Sequence, residues 1–400
     1  MKMQDIPIIR FKRFIDSWTD QKLSDVVDYR NGKAHENAID SKGKFIVVNS
    51  KFVSTNGEVK KKSNNQIAPL LKDELAFVLS DVPNGRAIAR IFLVDENDKY
   101  TLNQRIAALS PKKDNDSYFL SKLIDRNDYF LKFDDGVKQT NLKRSDVEDF
   151  VSKYPKFSEQ TQIGNFFKTL DEQINLQEQK YQKLVNLKKA MLEKMFPKEG
   201  ADTPEIRFKG FSEKWDFVEL GNVLEERKII QKISKDAPIL AFAAGQGVID
   251  RSQRKSNNRD HLTKDASNKK YLLTEFNDIV YNPSNLKYGA IDRNKHGRGV
   301  ISPIYVTFIT EQVPSFIELI VKGENFKIKA LQYEEGTVVK RQSVKPENLL
   351  SLKVFISQSL EEQQKIGDYF ENLDNLIQQA QQQLEKHKNI KQALLKKMFV

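Results

Sequence analysis

The sequence predicts an α+β protein in which two mixed α/β domains are joined by two long antiparallel coiled-coil helices, with a pseudo-two-fold internal repeat. Three observations predict this fold. Similar segments begin and end each half of the chain. The end segments have the apolar spacing of long helices. The segments between them differ from each other and are typical of short strands and helices. The predicted boundaries are 1–157 for the first domain, 158–197 for the first helix, 198–220 for a linker, 221–358 for the second domain and 359–400 for the second helix.

The repeat consists of two pairs of segments. Residues 159–196 recur 203 positions later as 362–399, and both copies end in Lys-Met-Phe. A second pair, 197 positions apart, begins each half, where Pro7, Ile9, Arg10, Phe11, Phe14 and Trp18 match Pro204, Ile206, Arg207, Phe208, Phe211 and Trp215. Two equivalent halves favour an approximate two-fold axis, which is also a symmetry of the DNA backbone.

The repeated end segments predict two long helices. Apolar residues recur at alternating steps of four and three, which is typical of a coiled-coil seam. One such helix alone would more often join the core of its own domain, but the matched pair favours packing of one helix on the other. Ser359 and Glu362 predict a capping box, and Pro197 ends the first helix. The predicted helix-packing residues are Ile163, Phe167, Leu170, Ile174, Leu184, Ile366, Phe370, Leu373, Ile377 and Leu384.

The divergent segments between the repeats predict two α+β domains. Short apolar or β-branched runs bounded by Gly, Pro, Asn or Asp are typical of strands. They are found at 45–49, 75–79, 87–94, 239–243, 278–282 and 304–309.

Composition favours a polyanionic partner. The formal net charge is +11, and residues 227–298 hold 15 Lys or Arg against 7 Asp or Glu. A well-solvated basic surface would give the same totals. The chain has no cysteine and four scattered histidines, so no metal site is predicted. It has no long apolar run and no signal pattern, so we expect a cytoplasmic protein that does not contact a membrane.

Side chains that pair with base edges or phosphates are concentrated in polar stretches between the predicted strands. Arg, Lys, Asn and Gln are the residue types that recognise guanine and adenine edges. Consecutive lysines favour phosphate contact, and a solvated basic loop is the alternative for each stretch. The candidate DNA-binding residues are Lys60, Lys61, Lys62, Asn64, Asn65, Gln66, Arg86, Arg90, Arg105, Lys138, Arg251, Gln253, Arg254, Lys255, Asn257, Asn258, Arg259, Lys287, Tyr288, Arg293, Arg298, Lys340 and Arg341.

The sequence gives no support for catalysis by this chain. Residues 281–284 resemble half of an adenine-methyltransferase motif, but Ser284 stands where the second proline belongs. Gly32-Lys33 lacks the earlier glycine and the hydroxyl residue of a phosphate loop. Asp40-Ser-Lys42 matches a nuclease triplet that chance produces in any highly charged chain. We therefore expect no catalytic residue.

The repeated motifs resemble the specificity (S) subunits of type I restriction–modification systems, the HsdS family. The resemblance covers nearly the whole chain. It rests on the Pro-x-Ile-Arg-Phe-x-x-Phe opening of each half, the Glu-Gln-x-x-Ile-Gly-x-x-Phe helix starts and the Lys-Met-Phe endings. Leu102-Asn-Gln-Arg-Ile106 and Gly299-Val-Ile-Ser-Pro303 also resemble motifs of the family's target recognition domains.

The resemblance implies a non-catalytic subunit with one target recognition domain per half, each reading one part of a split, asymmetric site in double-stranded DNA. It further implies two methyltransferase (M) subunits and two restriction (R) subunits as partners. This chain would bind no cofactor, because S-adenosylmethionine, ATP and Mg²⁺ would belong to those partners. A free-standing sequence-specific DNA-binding regulator is the alternative. An architectural coiled-coil scaffold is a weaker one, since the domains are basic and divergent.

Overall fold

The computed structural model describes residues 6–243, 245–253, 269–336 and 342–400. These residues form mixed helices and strands, which confirms the α+β prediction. The chain divides into two compact units. The first unit comprises Met1–Gln179 and Gln381–Val400, and the second comprises Lys180–Ala380.

The first unit is built from short strands and helices ahead of one long helix. Its strands are β1 (Thr19–Lys22), β2 (Val27–Asn31), β3 (Phe45–Val48), β4 (Lys61–Ser63), β5 (Leu75–Val78), β6 (Ser80–Asp81), β7 (Ile91–Leu93), β8 (Tyr100–Leu102), β9 (Ile106–Pro111), β10 (Thr140–Asn141) and β11 (Val151–Tyr154). Its helices are α1 (Leu23–Val26), α2 (Ser50–Ser54), α3 (Ser117–Ile124), α4 (Asp128–Leu131), α5 (Arg144–Glu148) and the first part of α6 (Phe157–Lys194).

The central sheet of the first unit has the strand order β2-β9-β5-β7, and all of its neighbouring pairs are antiparallel. Strands β5 and β9 are apolar because both faces of this sheet are covered. Leu75 and Phe77 face a core that includes α3 and α6, whereas Ala76 and Val78 face a second core beside the sheet β4-β3-β8. This alternation is the period of two expected for a strand.

The predicted strand at 87–94 is shorter in the structure, where only Ile91–Leu93 is extended. The backbone of residues 87–89 turns instead. The Asp81 carboxylate accepts hydrogen bonds from the amides of Ala87 and Ile88, and Ala89 has a positive φ of 58°.

The second unit has a comparable mixture of elements. Its strands are β12 (Asp216–Glu219), β13 (Glu225–Glu226), β14 (Ile230–Gln231), β15 (Leu240–Ala243), β16 (Gly247–Asp250), β17 (Tyr271–Thr274), β18 (Ile279–Tyr281), β19 (Ile291–Arg293), β20 (Gly299–Ile301), β21 (Val306–Ile309), β22 (Glu334–Glu335), β23 (Ser343–Val344) and β24 (Lys353–Ile356). Its helices are α7 (Pro314–Val321), α8 (Glu324–Leu331), α9 (Pro346–Leu350), the end of α6 and the first part of α10 (Leu360–Met398). The largest described sheet of this unit has the order β13-β21-β18-β19.

The long helices contribute to the core of each unit. In the first unit, Ile163, Phe167, Leu170 and Ile174 of α6 are buried in one cluster with Leu384 and Met398 of α10. In the second unit, Ile366 and Phe370 of α10 share a cluster with Met195 of α6. Leu373 is also buried, and Leu184 and Ile377 are half-buried.

Within each unit the two long helices run antiparallel. In the first unit Asp171 pairs with Lys391 and Glu178 pairs with Lys388. A later residue of α6 therefore contacts an earlier residue of α10, as in an antiparallel pair. In the second unit Lys188 pairs with Asp374, and the ring of Phe196 lies 6.5 Å from that of Phe370. The two aspartate–lysine pairs occupy equivalent positions of the repeat.

Both long helices begin beside the opening segment of their half. Arg10 donates two hydrogen bonds of 2.7 Å to Glu159, and Arg207 donates likewise to Glu362. The predicted capping box at α10 is only half formed. Ser359 Oγ accepts from the Glu362 amide at 3.3 Å, but the Glu362 carboxylate binds Arg207, Ser357 and the Trp215 indole instead of the Ser359 amide.

Candidate nucleic-acid interface

Strand β4 presents consecutive lysines to solvent in the first unit. Lys60, Lys61 and Lys62 are exposed, and none of them forms an ion pair with a described residue. The strand is held by pairing with β3, in which Val47 lies opposite Lys61. Three consecutive lysines, two of them on a paired strand and none in an ion pair with a described residue, suit the regularly spaced charges of a nucleic-acid backbone.

The residues after β4 stabilise their own loop. Asn64 donates to the Asp40 carboxylate, and Gln66 Nε2 donates to the Tyr100 carbonyl at 3.0 Å. Asn65 is exposed, and its carbonyl accepts from Ser63 Oγ. Asn64 and Gln66 thus each donate a side-chain hydrogen bond within the loop, whereas the exposed Asn65 side chain forms none with a described residue.

Four segments of the first unit meet around Leu79 and Ser80. We name residues 48–51, 79–81, 103–105 and 138–141 the Ser80 loop cluster. The Ser80 carbonyl accepts from Ser50 Oγ at 3.4 Å, and Ser80 Oγ accepts from Gln139 Nε2 at 2.8 Å. The Leu79 amide donates to the Arg105 carbonyl at 3.0 Å. The predicted residues Arg105 and Lys138 are exposed members of this cluster.

Arg86 and Arg90 lie on the turn that follows Ser80. Arg86 is exposed, whereas Arg90 is half-buried and donates to the Ser54 carbonyl at 3.2 Å. The turn is closed by the Asp81 carboxylate, which accepts from the amides of Val82, Ala87 and Ile88. Arg90 therefore supports helix α2, while Arg86 remains available to a ligand.

The described candidates of the second unit lie on two turns and a strand end. Arg251 and Gln253 form a 3₁₀ turn directly after β16. Tyr288 ends another 3₁₀ turn with its side chain 68% exposed, and Lys287 beside it pairs with Glu334 at 3.3 Å. Arg298 is exposed and pairs with Glu275.

Arg293 is part of a buried network of charges and does not face solvent. Its side chain is 8% exposed and donates to Glu318, Glu371 and Asn277. Arg293 is therefore not exposed for the DNA contact that the sequence predicts, because Glu318 on α7 and Glu371 on α10 already pair with its guanidinium group.

The same network contains two lysines. Glu318 also pairs with Lys295 at 2.7 Å and with Lys322 at 3.3 Å, and Lys322 pairs with Asp292 at 2.9 Å. Burial alone would raise the pKa of Glu318, but the pairing cations outweigh it and lower the pKa to about 2. Burial raises the pKa of Asp292 despite Lys322. The network links strand β19 to both α7 and α10.

Seven predicted residues lie outside the described residues: Arg254, Lys255, Asn257, Asn258, Arg259, Lys340 and Arg341. Lys51, Asn103 and Thr140 also belong to the Ser80 loop cluster but are not among the candidate residues that the sequence predicts. Only their proximity in the fold connects them, since they are widely separated along the chain.

The described ranges contain no group of three or more His, Asp or Glu side chains that could hold a metal ion. None of the described helices combines the length and the apolar character needed to cross a membrane.

Residues 15–186 match the family model of the type I restriction modification DNA specificity domain. The fold is similar to that of the type I restriction–modification system S subunit from M. genitalium, with a TM-score of 0.66 at 14% identity over 99% of both chains. The HsdS subunit from Thermoanaerobacter tengcongensis gives a TM-score of 0.40 at 16% identity over 96% of both chains. A structure on complex assembly and conformational transition of the type I R–M system gives 0.45 at 15% identity, covering 95% of this chain and 97% of that one.

Proposed function

Because this chain belongs to the type I restriction–modification DNA specificity family, through the domain matched at residues 15–186, we propose that it selects a bipartite, asymmetric site in double-stranded DNA for that system. One target recognition domain in each unit reads one half-site. The two long helices act as a coiled-coil connection that sets the spacing between the half-sites, with the pseudo-two-fold arrangement that the repeat predicts.

One observation supports this proposal most directly: equivalent contacts recur inside both units around different binding loops. The aspartate–lysine pairs of the long helices and the arginine–glutamate pairs at their starts are the same in each unit. The basic residues of the loops differ, with Lys60–Lys62 in the first unit and Arg251 with Arg298 in the second. Two units that share these helix contacts but differ in their polar loops are suited to the recognition of two different DNA sequences.

We further propose that two adenine-N6 methyltransferase subunits and two restriction subunits assemble with this chain. Those subunits would supply the chemistry and would hold S-adenosylmethionine, ATP and Mg²⁺. The chain itself would contribute recognition and positioning. The absence of catalytic motifs from its sequence supports this division of roles.

The proposal is tested by co-expressing the chain with its partner methyltransferase and mapping methylated adenines across the host genome by single-molecule sequencing. We expect a split motif with one methylated adenine in each half. The methyltransferase expressed alone is the control and should give no such motif. A contiguous motif, or tight specific binding of DNA by the chain without a partner, would instead favour a free-standing regulator.

A further inference from the structure

The Ser80 loop cluster holds exposed cations that no carboxylate neutralises by direct pairing in the described part of the chain. Lys51, Arg105 and Lys138 are exposed, and none of them forms an ion pair with a described residue. The nearby carboxylates of Asp81 and Asp135 accept hydrogen bonds from backbone amides instead. Asp81 accepts from three amides of its turn, and Asp135 accepts from the amides of Val137 and Lys138, which lowers its pKa.

Arg105 is held in an unusual backbone conformation. Its φ is +65°, a left-handed value that a residue with a long side chain rarely adopts. The carbonyl of Arg105 is fixed by the Leu79 amide, and the next residue, Ile106, begins the buried strand β9. Such strain persists where the surrounding structure imposes it, and it is concentrated at functional sites. The backbone therefore fixes the position of the Arg105 Cα atom and the direction of its Cα–Cβ bond.

Two buried polar atoms in the same cluster have no hydrogen-bond partner among the residues that the structure describes. They are Oδ1 of Asn103 and Oγ1 of Thr140, and Thr140 is only 5% exposed. Thr140 lies opposite Asp81 in the β10–β6 pair, and the Asn103 amide donates to the Val48 carbonyl. Unsatisfied groups of this kind are rare and mark strained or functional sites.

Lys60, Lys61 and Lys62, at and just before the start of β4, differ from Arg105 in the contacts they suit. They are consecutive and exposed, have flexible side chains and form no ion pair with a described residue, which suits contact with phosphates. An arginine on a fixed backbone suits bidentate pairing with the N7 and O6 atoms of guanine. The Ser80 loop cluster thus suits contact with base edges, which differ between base pairs, whereas Lys60–Lys62 suit contact with phosphates, which do not.

We propose that the Ser80 loop cluster reads base edges in the first half-site, with Arg105 as the specificity-determining residue directed at a guanine, and that Lys60–Lys62 bind phosphates. This inference rests on the proposed function, and it assigns the two kinds of contact to named residues.

The test compares variants of the full-length chain in its complex with the methyltransferase. Arg105→Gly removes the side chain and accepts the left-handed backbone without strain. Arg105→Lys keeps the charge but loses the bidentate geometry. In both variants we expect about a 10- to 100-fold loss of preference for one base pair in the first half-site, with the second half-site and spacer unchanged. The readouts are the genome-wide methylated motif and binding to oligonucleotides that vary each position of that motif.

The lysine variant K60A/K61A/K62A should keep the motif and weaken binding to every oligonucleotide. The slope of log affinity against log salt should become shallower by about 0.9 for each phosphate that the variant no longer neutralises. Lys72→Ala is the matched control, because Lys72 is an exposed cation at the opposite end of β5 from Ser80. It should alter neither readout.

Two results would overturn the inference while leaving the proposed function intact. One is a wild-type base preference in Arg105→Gly. The other is equal weakening of all oligonucleotides by Arg105→Gly with full rescue by Arg105→Lys, which would mean that Arg105 binds a phosphate. A wild-type chain that yields no split motif would overturn the proposed function itself.

Discussion

Glu318 shows how a single buried carboxylate organises charges in the second unit. It accepts from Arg293, Lys295 and Lys322, while Asp292 and Glu371 supply the remaining negative charge. Buried charges are tolerated only when they are paired, so losing one member leaves its partners without compensation.

We expect Glu318→Gln to lower the free energy of unfolding of the second unit by about 3–5 kcal/mol at pH 7. The folded-state pKa of Glu318 is about 2, below its ordinary value of 4.5. Its stabilisation is therefore fully present above about pH 4.5 and is lost as the pH falls toward 2. The difference between wild type and variant should shrink over that range.

Urea unfolding followed by the fluorescence of Trp215 measures this difference. The chain has two tryptophans, so a Trp18→Phe background leaves Trp215, in the second unit, as the only one. Glu324→Gln is the control, because Glu324 forms an exposed pair with Lys327 that contributes less than about 1 kcal/mol. Equal effects of the two substitutions, or a difference independent of pH, would contradict the role given to Glu318.

The sequence could not reveal this network. Arg293 has the residue type and the loop-rich neighbourhood of a base-reading side chain, and on those grounds the sequence predicts that it binds DNA. Its partners are 25 and 78 residues away in the chain, on α7 and α10. The residue type indicates which groups a side chain can bind. Only the fold determines which of those groups lie within hydrogen-bond distance of it.

Elements were more predictable than individual contacts. The long helices begin within two residues of their predicted starts, because the apolar spacing and the proline and serine signals are local. The sheets that position the Ser80 loop cluster were not predictable, since β10 pairs with β6 across some sixty residues. The repeat also predicted that Gly164 and Gly367 are equivalent, but not why both are glycine.

The structure supplies that reason. A Cβ atom at Gly164 would lie 2.3 Å from Oδ1 of Asp116, the atom that caps helix α3 by accepting from the Phe119 amide. A Cβ at Gly367 would lie 2.1 Å from Oγ of Ser315 at the start of α7. Each long helix therefore needs a glycine where a shorter helix begins against it.

We expect Gly164→Ala to lower the free energy of unfolding of the first unit by about 1–2 kcal/mol. The sign of this change tests the steric argument, because a glycine-to-alanine substitution in an unobstructed helix raises the free energy of unfolding by about 1 kcal/mol. Asn165→Ala is the control: Asn165 is the exposed next residue of α6, so its replacement should be neutral or slightly stabilising. Chemical unfolding monitored by Trp18 in a Trp215→Phe background gives both values. A stabilised Gly164→Ala variant would show that the Asp116 cap moves aside freely.

For the molecule as a whole, each unit has core clusters of its own. In the first unit they include Phe77 and Val78, and in the second they include Phe308 and Val280. The first unit also takes residues from α10, such as Met398, and these would be retained if only the amino-terminal domain were exchanged. Separate cores make the recognition domains exchangeable in principle.

We therefore expect replacement of residues 1–157 by the equivalent segment of a relative to change only the first half-site. The second half-site should persist because the exchange leaves unchanged the core in which residues 221–358 pack with α6 and α10, and the spacer should persist because both helices keep their lengths. Adenine-methylation mapping of the chimaera with the unchanged methyltransferase measures all three features, and exchange of 221–358 is the reciprocal control. A chimaera that altered both half-sites would mean that each domain's reading depends on the other, and the two-module description of recognition would have to be abandoned.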